Sequence, residues 1–175
     1  MNAKQKIHSL GQIMQLAWVP RDFDAALRYW TETMGVGPFF EMQHIQTERT
    51  QYRGEPVELD FSVAIAYWGD MQIELIRQHN DAPSIYKTWL DAGREGLHHV
   101  CLKVDMQKAR EVCSEAGAEV MQEVWLPGGG EAIYVEAGGG LIEMIDFHEE
   151  HYAFFETMRQ EAATWDGSDP LRVIG

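Results

Sequence analysis

Four polar side chains interrupt otherwise apolar stretches of this chain: Gln15, Glu74, His99 and Glu143. One amide, one imidazole and two carboxylates form a nitrogen-and-oxygen donor set. Such a set suits a divalent metal ion such as Zn, Ni, Co, Mn or Fe and requires no thiolate. Glu74 sits in Ile73-Glu74-Leu75-Ile76, and Glu143 in Ile142-Glu143-Met144-Ile145. A carboxylate in either setting is costly to bury alone. Two of them in near-identical strings call for one explanation, and a shared cation supplies it. Protein ligands on one concave wall leave positions for water or a chelating substrate.

The strings belong to an internal repeat. Gln15-Leu16-Ala17-Trp18-Val19 runs into Asp22, an amphipathic segment and Gly35; His99-Val100-Cys101-Leu102-Lys103-Val104 runs into Asp105, a second such segment and Gly117. Strand alternation puts Gln15, Ala17 and Val19 on one face and Leu16 and Trp18 on the other. Asp22 and Asp105 are N-cap residues, and Gly35 and Gly117 are helix stops. Phe23, Ala26, Leu27, Trp30 and Met34 recur at helical spacing, as do Ala109, Val112, Cys113 and Ala116. Strands are expected near 39–46, 58–67 and 71–77 in the first copy, and near 119–126, 131–136 and 140–147 in the second.

The expectation is therefore an α+β fold. Two tandem βαβββ modules, 12–79 and 97–147, make a single domain over 1–175. Their sheets form a concave, partly closed metal-binding cleft, with helices covering the outer side. Residues 80–96 are a linker with a helix capped by Ser84, and 148–175 are a C-terminal helical extension with its helix at 149–163. Residues 1–11 read as a mobile lead-in, and the polar stretch 47–56 as a loop over the site.

The same parity points His99 inward and His98 away, toward backbone. His148 and His151 are expected on the surface of the last helix. Tyr152, Phe154 and Phe155 are read there as a packing face or dimer contact. Trp125 is a candidate for the pocket wall, and Gly128–Gly130 for a hairpin at a substrate mouth. No Gly-Lys-Ser/Thr follows those glycines, so they do not form a phosphate loop.

The net charge of −14 disfavours nucleic acid and anionic membrane surfaces. No apolar run approaches the ~18 residues of a spanning helix. The opening residues lack an apolar signal core, which predicts a cytoplasmic protein. Cys101 and Cys113 are expected as buried packing residues rather than a disulfide framework.

Several strings carry a resemblance: Gln15-Leu16-Ala17-Trp18-Val19, Gly35-Val36-Gly37-Pro38-Phe39, Ile73-Glu74-Leu75-Ile76, Gly96-Leu97-His98-His99-Val100 and Gly140-Leu141-Ile142-Glu143-Met144. Over about residues 12–147 the chain resembles the vicinal oxygen chelate superfamily. That group includes glyoxalase I, methylmalonyl-CoA epimerase, extradiol dioxygenases and bleomycin-resistance proteins. The resemblance implies metal ligation by Gln15, Glu74, His99 and Glu143. It implies a divalent-metal-dependent lyase or isomerase of glyoxalase type. Such an enzyme transfers a proton through a metal-stabilised enediolate or enolate on a small oxygen-chelating substrate. Glu143 is the first choice as proton-moving carboxylate and Glu74 the second.

The Gly-Leu-His-His and Gly-Val-Gly-Pro-Phe strings are most similar to the epimerase-like branch. A methylmalonyl-CoA-type epimerase is thus the alternative, with Glu58 or Asp60 supplying an additional acid. A non-catalytic binder of the bleomycin-resistance kind is a further alternative. Ring-cleaving oxygenases want two histidines and a carboxylate on iron, and Gln15 stands in the place of the first histidine. The expected partners are a small-molecule substrate and, from the habit of such proteins and the apolar side of the last helix, a second copy in a homodimer.

Overall fold

Strand β1 (Ile13–Trp18) and strand β7 (Leu97–Lys103), the opening strands of the two repeats, lie side by side and antiparallel at the centre of the molecule. The computed structural model describes residues 6–174. From β1 the chain passes through α1 (Phe23–Arg28), which widens into a π turn at Tyr29–Thr33, to β2 (Phe39–Met42). A hairpin, β3 (Arg49–Tyr52) and β4 (Glu55–Pro56), precedes β5 (Phe61–Trp68) and β6 (Met71–Gln78). Helix α2 (Ile85–Asp91) leads to β7, then α3 (Met106–Ala116), β8 (Val120–Trp125), β9 (Glu131–Ala137) and β10 (Gly140–Asp146). Helix α4 (Glu149–Ala163) and β11 (Leu171–Ile174) follow.

All strands join one curved, open sheet in the order β11-β2-β5-β6-β1-β7-β10-β9-β8-β3-β4. The expected βαβββ pattern holds in both halves, with the hairpin β3–β4 inserted in the first. Local chemistry explains the helix boundaries. Asp22 accepts a hydrogen bond from the Ala25 amide at 2.9 Å, and Asp105 accepts one from Lys108 at 2.9 Å. Gly117 stops α3 in the left-handed conformation, φ 67°.

The two faces of the sheet divide as the alternation predicts. Leu16 and Trp18 pack with Phe23, Trp30, Ile73 and Leu75 beneath α1. Leu102, Ile133 and Met144 pack with Ala109 and Cys113 beneath α3. Ala17, Val19 and Cys101 face the concave side with Phe61, Tyr86 and Tyr134. Ile73 is fully buried between strand and helix. Ile73→Ala is expected to lower unfolding free energy by about 2–5 kcal/mol, read from denaturant midpoints. A loss below about 1 kcal/mol would mean that this layer does not anchor Glu74's strand.

Three expectations need correction. Residues 47–56 are not a free loop. Thr50 and Tyr52 face the interior, and the chain turns at Arg53 and Gly54, both with positive φ. The resulting hairpin pairs β3 with β8, so the first half supplies an edge strand to the second. The C-terminal extension is not wholly helical, because Leu171–Ile174 adds a strand parallel to β2. Residues 1–5 lie outside the described part. Beyond them Ile7–Ser9 form a 3₁₀ turn, and Ile7 and Leu10 pack on the cluster beneath α3. No helix among the described residues is long and apolar enough to cross a membrane.

Candidate metal centre

Sheet register sets the four residues in two adjacent rows of one face. Glu74 lies beside Ala17, and Ala17 beside His99, in one row across the concave face. In the next row of the same face Gln72, Gln15, Cys101, Glu143 and Tyr134 are successive neighbours. The small Ala17 and Cys101, both fully buried, separate the long polar side chains and leave room for their tips to converge. All four expected ligands are buried, Glu74 and Glu143 being 7% exposed and His99 1%.

The His99 Nε2 atom is 3.1 Å from Glu143 Oε2 and 3.6 Å from Glu74 Oε2. Donor atoms of these three residues lie within 4.8 Å of one another. Gln15 donates its Nε2 hydrogen to Gln72 Oε1 at 3.0 Å, and Gln72 donates to the Tyr67 hydroxyl at 2.7 Å. Gln15 Oε1 is buried with no hydrogen-bond partner among the described residues. That orphaned oxygen belongs to a residue lining the same cavity as the two carboxylates, and it is free to accept from or ligate a further group.

The histidine pair strengthens that reading. Burial, then the neighbouring His99, push the His98 imidazole down to about 3, so it is neutral. Its Nε2 faces the Ile85 carbonyl, an acceptor only, at 3.4 Å and must therefore carry the hydrogen. His98 Nδ1 then accepts from His99 Nδ1 at 2.8 Å. His99 Nε2 is thereby turned toward the two carboxylates, where a proton hydrogen-bonds it to Glu143 and a divalent cation can take that proton's place. His98 thus bonds backbone, as expected, and also fixes the tautomer of its neighbour.

The two glutamates differ. Tyr134 donates to Glu143 Oε1 at 2.6 Å and receives the Tyr86 hydroxyl at 3.2 Å. Burial alone would raise the Glu143 carboxyl, but the hydrogen bonds from His99 and Tyr134 outweigh it and hold the group below its ordinary value. No described group donates a hydrogen bond to Glu74. Burial first, and the Glu143 charge second, push its carboxyl well above 4.5.

A pH effect follows. Folding raises the affinity of Glu74 for its proton, so its stabilising contribution is complete below about 4.5 and is lost as pH rises through the folded value. The His98 imidazole has the opposite sign, contributing above 6.5 and losing that contribution as pH falls toward about 3. Comparing the metal-free protein with Glu74→Gln cancels His98. The stability of the parent relative to the variant is expected to fall as pH rises, and an added divalent cation is expected to stabilise the parent more strongly over the same rise. Melting curves in chelator and in metal across that range test this; a difference independent of pH contradicts it.

The centre opens into a cavity of about 340 Å³, whose wall includes Gln15, Glu74, Glu143, Tyr86 and Tyr134. Pro127, which precedes Gly128–Gly130, also lines it, whereas those glycines are not among its described lining residues. Trp125 does not; its ring is covered by the Arg49 guanidinium at 3.6 Å. His148 is exposed, but His151 is half-buried, lines the cavity and leaves a buried Nδ1 unpartnered. Phe154 and Phe155 line it as well, so the apolar side of α4 is used within the chain. Glu58 is exposed, and Asp60 bonds His44 Nδ1 at 2.7 Å away from the cavity. Asp60, His44 and His79 form a separate, partly exposed group of ligand-type side chains. Cys101 and Cys113 are buried and free.

Sequence reading missed Gln72, Tyr86 and Tyr134. Two had signals. Gln72 shares Glu74's face two residues upstream, and Tyr134 stands opposite Glu143 across the β9–β10 hairpin.

The model of the Glyoxalase/Bleomycin resistance protein/Dioxygenase superfamily matches residues 14–135. No curated protein sequence matches the chain. Among solved structures, hypothetical protein BH1468 from Bacillus halodurans C-125 is 14% identical, covering 79% of this chain and 95% of its own, with a TM-score of 0.56. Methylmalonyl-CoA epimerase from Mycobacterium tuberculosis is 15% identical, covering 87% and 97%, with a TM-score of 0.54. A single-residue variant of Streptomyces coelicolor methylmalonyl-CoA epimerase, in complex with 2-nitronate-propionyl-CoA, is 16% identical, covering 78% and 94%, with a TM-score of 0.51. These likenesses are of fold.

Proposed function

Because the chain belongs to the Glyoxalase/Bleomycin resistance protein/Dioxygenase superfamily, we propose that Gln15, Glu74, His99 and Glu143 hold one divalent cation and that the protein is a lyase or isomerase. It moves a proton on a small substrate offering two oxygens. One observation carries this reading: donor atoms of His99 and two buried carboxylates lie within 4.8 Å of one another, and Gln15, whose Oε1 has no hydrogen-bond partner among the described residues, lines the same cavity. When bound, the cation would acidify the carbon–hydrogen bond beside the chelating oxygens and offset the developing oxyanion.

The chain's own residues divide the remaining work. Glu143 has both oxygens engaged, by Tyr134 and His99, and is the fixed ligand. Glu74 has no hydrogen-bond donor holding it, so we assign it the base, ahead of Glu143. Its carboxylate takes the proton from carbon and returns it to the same or a neighbouring carbon. Tyr134, backed by Tyr86, keeps Glu143 oriented. The apolar wall keeps water from competing for the proton. The single imidazole disfavours ring-cleaving oxygenase chemistry, since His98 is committed to His99 and Ile85.

Deuterium wash-in at the carbon beside the carbonyl tests the reading. Metal-loaded protein is incubated in heavy water with hydroxy-ketones, hemithioacetals of glutathione and acyl thioesters. Exchange with at least one class, abolished by chelator, is expected. Exchange confined to acyl thioesters points to the epimerase alternative. A tight ligand that never exchanges, with chelator without effect, overturns the enzyme reading in favour of a binding protein.

A further inference from the structure

Resting on that metal-centre reading, we infer that the part of the substrate beyond its two chelating oxygens is uncharged and chiefly apolar. The cavity wall carries the inference. Val63, Ile65, Val124 and Ile145 approach from both halves of the sheet, and Phe154 and Phe155 close over them from α4. No lysine or arginine occurs among the described lining residues. Apart from the centre's own residues, the polar side chains in the wall are Gln46 and His151. An anionic group drawn into this space would leave water, meet Glu74 and Glu143, and find no lysine or arginine among the described lining residues to pair with. The chain's net charge of −14 opposes its approach as well. An aromatic or aliphatic body instead exchanges water for hydrocarbon along most of its surface. At about 340 Å³ the space lies at the small end of ligand pockets and suits a body of one ring rather than a long, phosphorylated carrier.

Three chelators with the same hydroxamate head separate the factors: acetohydroxamic acid, benzohydroxamic acid and 4-carboxybenzohydroxamic acid, titrated calorimetrically into metal-loaded protein. The phenyl body is expected to tighten binding roughly tenfold or more over the methyl. The added carboxylate is expected to remove at least that gain. Phe154→Ala, at a part-exposed cavity position, is expected to shrink the ratio of phenyl to methyl affinity. Equal affinities for the three, or a preference for the carboxylate, overturn the inference while leaving the metal centre standing. Failure of acetohydroxamate to bind at all strikes the metal-centre reading itself, and this inference falls with it.

Discussion

Glu74→Gln is expected to slow deuterium exchange by about 100- to 10,000-fold while the protein still binds its divalent cation. The amide keeps an oxygen where the carboxylate had one, so a donor atom remains. It cannot accept a proton, so the base is gone. The expectation rests on an asymmetry between residues at equivalent places of the repeat. Glu143 is held by Tyr134 and His99, whereas no described group donates to Glu74. Burial and the Glu143 charge raise the Glu74 carboxyl, which makes it the better proton acceptor of the two. The corresponding Glu143→Gln protein should lose the cation instead, because Tyr134 donates to the one oxygen the amide keeps and so turns the NH2 group, not an oxygen, toward the cation. Rates and metal content of the two variants, measured side by side, check the assignment. Full exchange activity in Glu74→Gln rules Glu74 out as the base and returns that role to Glu143.

His98→Ala is expected to weaken divalent-cation binding by about 10- to 100-fold although His98 touches no ligand position. The Ile85 carbonyl forces the hydrogen of His98 onto Nε2, and His98 Nδ1 in turn forces the hydrogen of His99 onto Nδ1. Without that partner the His99 ring loses both its orientation and the acceptor that keeps a hydrogen on Nδ1. The alanine also strands a buried N–H, at a cost of about 1–3 kcal/mol of stability, so stability alone does not isolate the effect. His98→Gln does, because its amide oxygen can accept from His99 Nδ1. Recovery of a substantial part of the affinity in His98→Gln marks a positioning role. Equal affinity in the parent and His98→Ala contradicts it.

Strand parity made most of this centre legible beforehand. In strands of known direction, Leu16 and Trp18 had to meet the helix, so Gln15 and Ala17 had to face the cleft, and the repeat carried the same conclusion to His99 and Glu143. The helices were legible through Asp22, Asp105 and Gly117, whose roles are local. Long-range docking was not legible. Nothing near Phe154 or His151 shows that α4 lies over the cavity, since its apolar residues serve equally well as a surface for another chain. The pairing of β3 with β8 joins residues far apart in sequence, and the polar character of 47–56 concealed a hairpin whose outer face meets solvent. The order of the two glutamates was hidden for a related reason: their strings are nearly identical, and the difference comes from Tyr134 on another strand.

Metal analysis tests the central claim most directly. The protein is loaded with a divalent cation and freed of excess, in a His44→Ala/His79→Ala background that removes the separate partly exposed cluster. The account predicts one tightly held ion per chain, lost in both His99→Ala and Glu143→Ala while the fold persists by circular dichroism. No retained ion, or an ion retained undiminished in those two variants, would contradict it.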